Sequence, residues 1–283
     1  MPSQHPPQRT PRRLSWRADR VIQMTTDLAY AAGLGLAVSA APVAAQASSK
    51  SDTERTAMTD ATQPTEGELQ AELDARKQEF AESAPAELVA LFEQGVLDVE
   101  ALGVLDTAKK VGDEAPRFEL PTATGNTFSL TSVLANGPAV VTFYRGGWCP
   151  YCNIQLRSYQ QHLEQFRELG AELIAISPET PDVTADSEEA KSYDFHVLSD
   201  AGNEAADAFG IRYRLPDELI GFFEGRLDLA ERNGDGSWTL PLGATYVIDA
   251  EGTIRYAFVS ADYRERAEPA DILAALRSID DAD

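Results

Sequence analysis

The stretch AVVTFYRGGWCPYC, residues 139–152, decides the fold of this chain. Its first six residues are apolar, aromatic or β-branched, and turn residues bound them on both sides, which is typical of a buried strand. From Pro150 the apolar residues recur at helical spacing as far as Gly170, which predicts a helix over 150–169. A second buried strand is predicted over 171–177, at the distance expected of a strand–helix–strand unit. The stretch therefore predicts an α/β protein whose cysteines lie where a strand turns into a helix.

Cys149 and Cys152 are the only 2 cysteines of the 283-residue chain, and both lie at the start of the predicted helix. Unpaired backbone N–H groups and the partial positive charge of a helix N-terminus stabilise a thiolate, which lowers the pKa of a cysteine. A Cys-x-x-Cys pair is either a redox couple or half of a metal site. A zinc site needs two more ligands, and after residue 5 the chain offers only His162 and His196 as further nitrogen or sulfur ligands. Because His162 lies about 15 Å further along the helix, we expect a redox pair, with no metal and no cofactor.

Weaker patterns predict the elements around this unit. Apolar residues at helical spacing over 66–82, and again after Pro85, predict a helical N-terminal arm. Further strands are predicted at 118–120, 127–129, 195–198, 244–249 and 253–259, and further helices at 183–192, 203–209 and 269–279. Residues 212–240 show neither period and are interpreted as an irregular insertion. The order of elements predicts a mixed central sheet flanked by helices.

This organisation divides the chain into three predicted parts. Residues 1–57 form an extension, 58–108 a helical arm, and 109–283 the α/β domain. The chain has 46 Asp and Glu against 24 Lys and Arg, a formal net charge of −22. Binding to a phosphate backbone rests on Lys and Arg patches, so this charge argues against a nucleic-acid partner.

The first 57 residues permit two interpretations. A basic front, a small-residue and apolar run over 28–47 and a polar exit fit a secretory signal, which would place the protein in the periplasm. The alternative is that translation starts at Met58, which opens a plausible cytoplasmic protein. We favour the second interpretation and expect a cytoplasmic location. Only the Gly- and Ala-rich run approaches a membrane span, so we expect no stable membrane insertion.

The segment FYRGGWCPYC, residues 143–152, resembles the active-site segment of peroxiredoxins in the alkyl hydroperoxide reductase/thiol-specific antioxidant family. Other segments resemble the same family in the same order: 111–120, 198–210 and 246–252. The resemblance covers roughly 109–283 and is strongest for the peroxiredoxin-like subgroup that has a Cys-x-x-Cys pair. It implies a thioredoxin-like fold and an antioxidant peroxidase activity.

Carried over by position, the peroxidatic cysteine of the family falls on Cys152. The family motif, Pro-x-x-x-Thr/Ser-x-x-Cys, is altered here, because Arg145 stands at the proline position and Cys149 at the hydroxyl position. The family's distal arginine falls on Gly243. Since preorganised donors of this kind stabilise developing charge in the transition state, we expect slower peroxide reduction than in a standard member.

The resemblance and the cysteine pair together leave three functions open. In the first, Cys152 reduces hydrogen peroxide or an alkyl hydroperoxide, Cys149 resolves the sulfenic acid as a disulfide, and a thioredoxin-like donor recycles the pair. In the second, a thiol–disulfide oxidoreductase, Cys149 is the exposed attacking thiol and Cys152 resolves the mixed disulfide. In the third, the disulfide alters a binding surface without turnover. We favour the first, and an oligomer is compatible with all three.

Overall fold

The computed structural model describes residues 67–281, and the extension predicted over 1–57 lies outside them. The helices are α1 Glu68–Ser83, α2 Ala86–Ala101, α3 Val104–Thr107, α4 Leu130–Leu134, α5 Pro150–Gln161, α6 Leu163–Glu168, α7 Pro181–Asp186, α8 Glu188–Lys191, α9 Glu204–Ala208, α10 Asp217–Phe223, α11 Leu229–Arg232 and α12 Pro269–Asp280. The strands are β1 Glu119–Pro121, β2 Thr127–Ser129, β3 Ala139–Phe143, β4 Glu172–Ser177, β5 His196–Ser199, β6 Arg212–Arg214, β7 Thr239–Pro241, β8 Gly243–Ile248 and β9 Ile254–Ser260. Within the described range, no helix has the length and apolar character needed to span a membrane.

A five-stranded sheet in the order β5-β4-β3-β8-β9 forms the centre of the structure. Strand β3 runs parallel to β4, and β4 runs parallel to β5. Strand β3 pairs antiparallel with β8, and β8 pairs antiparallel with β9 on its other side. The sheet is therefore mixed, and β3 lies in its middle with all five residues buried.

Both faces of the sheet are covered, as expected for strands that are apolar on both sides. Alternate residues of β3 enter two separate apolar clusters, so Val141 and Phe143 face one cluster and Val140 faces the other. Helices α1, α5, α6 and α12 supply apolar side chains to the cluster that contains both cysteines. Helices α2, α4, α9 and α10 contribute to the cluster on the other face. The predicted α/β class, with a mixed sheet flanked by helices, is confirmed.

The structure differs from the sequence predictions in three segments. The helix predicted over 150–169 is interrupted at His162, whose backbone (φ −101°, ψ 3°) is not helical. The second of the two resulting helices ends before Gly170, as predicted, and Gly170 has φ +71°. The helix predicted over 183–192 consists of two short helices joined at Ser187. The insertion predicted to be irregular over 212–240 contains α10 and α11, and the antiparallel pair β6–β7 closes it. Strands of three residues are too short to show an alternating pattern, which is why this prediction was wrong.

Helices α1 and α2 occupy the region predicted as a helical arm. Leu69 and Leu73 on α1 are buried in the cluster that contains the cysteines, and Val99 on α2 is buried in the other cluster. The two helices therefore contribute to both sides of the sheet. The boundary between an arm and a domain at 108 stays a prediction.

Replacing Leu73 by Ala tests whether α1 is part of the core. Because Leu73 is fully buried, the substitution removes apolar contacts and leaves a cavity, and we expect the free energy of unfolding to fall by about 3 kcal/mol. Chemical denaturation measures the change. Leu97 on α2 is 56% exposed, so Leu97→Ala is the control and should change stability by less than about 0.5 kcal/mol. Equal losses in the two variants would contradict the observed packing.

Candidate active site

The two cysteines lie at the junction of β3 and α5, where the sequence predicts them. Cys149 is the N-terminal cap residue of α5, Pro150 is its first helical residue, and Cys152 lies in its first turn. The chain reaches this position through Gly146, whose φ of +137° favours glycine. A Cβ atom at Gly146 would lie 2.5 Å from Nε1 of Trp148 and 2.9 Å from Cδ of Glu179. The loop before the cysteines therefore requires glycine at this point.

Both cysteines are free thiols and both are buried. Cys152 has no exposed surface and Cys149 is 1% exposed. Burial opposes ionisation of Cys152, but the hydrogen bond from the Cys149 thiol, the positive charge of Arg266 and the backbone N–H of Arg145 outweigh it and lower the pKa of Cys152 to about 5. Burial and the adjoining Cys152 sulfur raise the pKa of the Cys149 thiol well above its usual value. Both shifts favour the thiolate on Cys152 and the proton on Cys149.

Arg266 is the charged side chain that contacts the sulfur of Cys152, and sequence reasoning missed it. Its Nη2 lies 3.3 Å from Sγ of Cys152, and its Nε donates to Oε1 of Gln155 at 2.7 Å. Gln155 in turn donates to Thr142 at 3.0 Å and to the hydroxyl of Tyr159 at 3.1 Å. Each of these groups is buried. The guanidinium is therefore held by a network of fixed polar side chains.

Arg266 fills the space beside Gly243, the position at which the sequence resemblance expects an arginine. A Cβ atom at Gly243 would lie 3.0 Å from Nη1 and 3.3 Å from Cζ of Arg266. A larger side chain at 243 and the observed guanidinium therefore compete for one volume. Comparison by position shows no cation at 243, and the structure places in that space the guanidinium of Arg266, a residue 114 positions after Cys152.

Arg145 stands at the proline position of the family motif. Its guanidinium carbon lies 4.8 Å from the ring centre of Trp148 and 4.5 Å from that of Tyr263, which is the geometry of a cation–π contact. Its backbone N–H donates to the sulfur of Cys152. The guanidinium of Arg145 thus lies against two aromatic rings, and its positive charge favours the thiolate.

Glu179 and Arg232 hold the loop that leads to the cysteines. Glu179 is 2% exposed, and its Oε2 accepts a hydrogen bond of 2.8 Å from the backbone N–H of Gly147. Its Oε1 pairs with Nη2 of Arg232 at 2.6 Å. The local sequence around Glu179 predicts no role for it, although the order of the strands does contain one signal. Because β3 and β4 are parallel, residues that follow both strands meet at one edge of the sheet.

The two histidines considered as metal ligands lie apart from this pair. His162 separates α5 from α6, and its Nδ1 lies 2.7 Å from the carbonyl oxygen of Ser158. His196 opens β5 and lies 3.8 Å from the carboxylate of Glu172. Over residues 67–281, no group of three or more His, Cys, Asp and Glu side chains could hold a metal ion.

Comparison with known proteins gives the family of this chain. The sequence model of the AhpC/TSA family matches residues 111–257. Over 177 residues the chain is 29% identical to the chloroplastic peroxiredoxin Q of Triticum aestivum, which covers 62% of this chain and 70% of the relative. Over 149 residues it is 32% identical to the chloroplastic peroxiredoxin Q of Oryza sativa subsp. japonica, which covers 52% of this chain and 58% of the relative. The crystal structure of the peroxidoxin BcpB from Mycobacterium tuberculosis is 26% identical with a TM-score of 0.48, and the match covers 60% of this chain and 97% of that one.

The chain belongs to the AhpC/TSA family, because the family model matches more than half of it. The resemblance to peroxiredoxins is confirmed, and with it the thioredoxin-like class of the fold. The matched residues include both cysteines, Arg145, Glu179 and Arg232, whereas Arg266 lies beyond them.

Separate removal of each partner of the Glu179–Arg232 pair should give unequal losses of stability. Arg232→Met leaves a buried carboxylate without its countercharge, and we expect the free energy of unfolding to fall by about 3 kcal/mol. Glu179→Gln keeps an acceptor for Gly147 and leaves a guanidinium whose side chain is 34% exposed, so we expect a loss of about 1 kcal/mol. Chemical denaturation compares the two variants. A larger loss for Glu179→Gln would contradict this account of the pair.

Proposed function

We propose that the protein is a thiol peroxidase in which Cys152 attacks the peroxide and Cys149 resolves the product. The observation that carries the proposal is the contact of 3.3 Å between Arg266 and the Cys152 sulfur in a site that lowers the pKa of this cysteine. A thiolate, not a thiol, is the nucleophile in such chemistry. Membership of the AhpC/TSA family supports the same reaction class.

In the first step, the Cys152 thiolate attacks one oxygen of hydrogen peroxide or an alkyl hydroperoxide. An S–O bond forms, the O–O bond breaks, and the leaving oxygen takes a proton from the solvent to become water or an alcohol. The sulfur is oxidised to sulfenic acid while the peroxide is reduced by two electrons. Arg266 touches the reacting sulfur and faces the charge that moves from sulfur to oxygen.

In the second step, the Cys149 sulfur attacks the sulfenic sulfur of Cys152. A disulfide forms and water leaves with the proton of the Cys149 thiol. The hydrogen bond between the two side chains supports this order, because it places the proton on Cys149 beside the sulfur that is to be resolved. A thiol at 149 keeps a donor at the position where the family has a hydroxyl and adds the resolving group.

A dithiol donor then reduces the disulfide and restores both cysteines. We propose a thioredoxin-like protein for this role on the basis of the sequence resemblance. No cofactor is required by these steps. The location also remains the proposal made from the sequence, which is the cytoplasm if translation starts at Met58 and the periplasm if residues 1–47 are removed on export.

The alternative function, a thiol–disulfide oxidoreductase, requires Cys149 to be the exposed and ionised thiol. The observed site favours the opposite assignment. Cys149 is 1% exposed, and burial raises the pKa of its thiol. Cys152, the resolving residue in that alternative, has the lowered pKa. These observations favour the peroxidase.

Single cysteine variants test the assignment of the two roles. We expect wild type to consume peroxide with a thioredoxin system, and Cys152→Ser to lose this activity because no thiolate remains to attack. Cys149→Ser should react once and accumulate sulfenic acid on Cys152, because nothing resolves it. Peroxide consumption and labelling of sulfenic acid measure these outcomes.

Two results would overturn the proposal. Sulfenic acid formed on Cys149 of the Cys152→Ser variant at the wild-type rate would reverse the roles of the cysteines. Reduction of insulin disulfides by a wild-type protein that ignores peroxide would establish the oxidoreductase alternative. A disulfide that changes the binding of a partner, without either activity, would support the redox-sensing function.

The proton donor at position 149 should control the pH dependence of the site. Cys149→Ala removes the hydrogen bond to the thiolate, so we expect the pKa of Cys152 to rise, whereas Cys149→Ser keeps a donor and should hold the pKa low. In either variant Cys152 is the only cysteine, so the ultraviolet absorbance of its thiolate against pH gives the pKa directly. In wild type, the rate of the peroxide reaction should stay constant from neutral pH to about pH 6 and fall through about pH 5, as the thiolate gains a proton. Identical titrations of the Ala and Ser variants would contradict a role for the donor.

A further inference from the structure

Segment 261–268, between β9 and α12, carries Arg266 to the Cys152 sulfur. The segment lies outside the residues that the family model matches, and so do α1 and α2. The segment has no regular secondary structure. The hydroxyl of Ser260, the last residue of β9, donates to the carboxylate of Glu265 within the segment at 2.7 Å. An irregular segment of this kind holds a charge in a fixed place only when other elements anchor it.

Helix α2 supplies the first anchor. The carboxylate of Glu93 pairs with both terminal nitrogens of Arg264, with 3.1 Å between Oε2 and Nη2. Arg264 is 6% exposed and also pairs with Asp262, with 2.7 Å between Nε and Oδ1. A guanidinium that meets carboxylates on two sides has little freedom to rotate. The anchor lies two residues before Arg266.

Helix α1 supplies the second anchor, two residues after Arg266. The carboxylate of Glu268 accepts hydrogen bonds from the backbone N–H groups of Leu69 at 3.3 Å and Gln70 at 2.7 Å. These groups lie in the first turn of α1, where no helical partner exists and where the helix dipole favours a negative charge. Glu268 therefore completes the start of α1 and ties the segment to it.

A third contact comes from the helix that carries the cysteines. The hydroxyl of Tyr159 on α5 donates to the carbonyl oxygen of Ala267 at 2.9 Å. Arg266 thus lies between anchors on both sides; α1 and α5 contribute to the cluster that contains Cys152, and α2 to the cluster on the other face of the sheet. Contacts with α1, α2 and α5 together therefore hold Arg266 in its position relative to the sulfur of Cys152.

We propose that α1 and α2 are positioning elements of the active site, which hold segment 261–268 on either side of Arg266 so that its guanidinium stays against Cys152 in the space left by Gly243. Two independent observations meet in this arrangement. The space beside Gly243 is filled by the guanidinium, and the segment is bonded to α2 two residues before Arg266 and to α1 two residues after it. Glu93 and Glu268 act through Arg266 and do not touch the sulfur.

The consequence for the reaction rests on the proposed peroxidase function. The guanidinium balances the thiolate before attack and faces the charge that develops on the leaving oxygen. A misplacement of a catalytic group by about 1 Å can cost on the order of a hundredfold in rate. Loss of both carboxylate anchors should therefore slow the reaction with peroxide by about tenfold, and loss of the guanidinium itself should slow it by about a hundredfold.

The test uses the full-length protein with Glu93→Gln and Glu268→Gln combined, and with Arg266→Met and Arg266→Lys. Glu100→Gln is the matched control, since Glu100 lies on α2 and is exposed, and the structure gives its carboxylate no ion pair with any described residue. The first readout is the pH midpoint of Cys152 thiolate formation without peroxide. The second is the rate of a single reaction with peroxide, and unfolding by denaturant shows that each variant is folded.

We expect the midpoint to move to higher pH in the double variant and further in Arg266→Met, with partial recovery in Arg266→Lys and none of these changes in the Glu100→Gln control. A folded double variant that titrates and reacts as wild type does would overturn the positioning role of the helices. An unchanged midpoint in Arg266→Met would overturn the role of Arg266 itself. If wild type fails to react with peroxide while the midpoints shift as expected, the positioning is upheld and the peroxidase function is what fails.

Discussion

Burial of the Cys152 sulfur is the constraint on which the rest of this site depends. Burial of an unpaired ion costs several kcal/mol, so the charge on Cys152 persists only where fixed groups of opposite polarity surround it. The start of α5, the N–H of Arg145 and the guanidinium of Arg266 provide these groups. Each is useful only if it stays in place. The elements around the site supply that rigidity, through Glu179 for the loop and through the N-terminal helices for Arg266.

The same constraint favours different protonation states for the two sulfurs. A single hydrogen bond joins them, so that the site favours the thiolate on one sulfur and the proton on the other. Arg266 contacts the sulfur of Cys152, and its positive charge favours the thiolate there. A thiol at 149 is compatible with a family position that otherwise holds a hydroxyl, because both groups donate a hydrogen bond. The thiol additionally allows a disulfide to form.

Elements with a strong local pattern were predicted well from the sequence. The buried run of β3, the helix that begins at Pro150 and the terminal helix α12 all appear where their apolar period places them. The failures lie where the elements are short. Strands β6 and β7 have three residues each, and their pairing between Arg212 and Pro241 depends on contacts across the insertion that no local pattern records.

The sequence by itself determined the cysteine pair, its place at a helix start and the family to which the chain belongs. The place of the pair follows from short-range physics, because helical period, capping and the effect of a helix N-terminus act within a few residues. Only the tertiary structure decided how the thiolate is balanced. Arg266 lies 114 positions after Cys152, and comparison by position shows a glycine at 243 where the cation is expected. The guanidinium reaches the sulfur because the chain returns to the site after β9 and is bonded there to α1 and α2, and such long-range packing leaves no periodic pattern in the sequence.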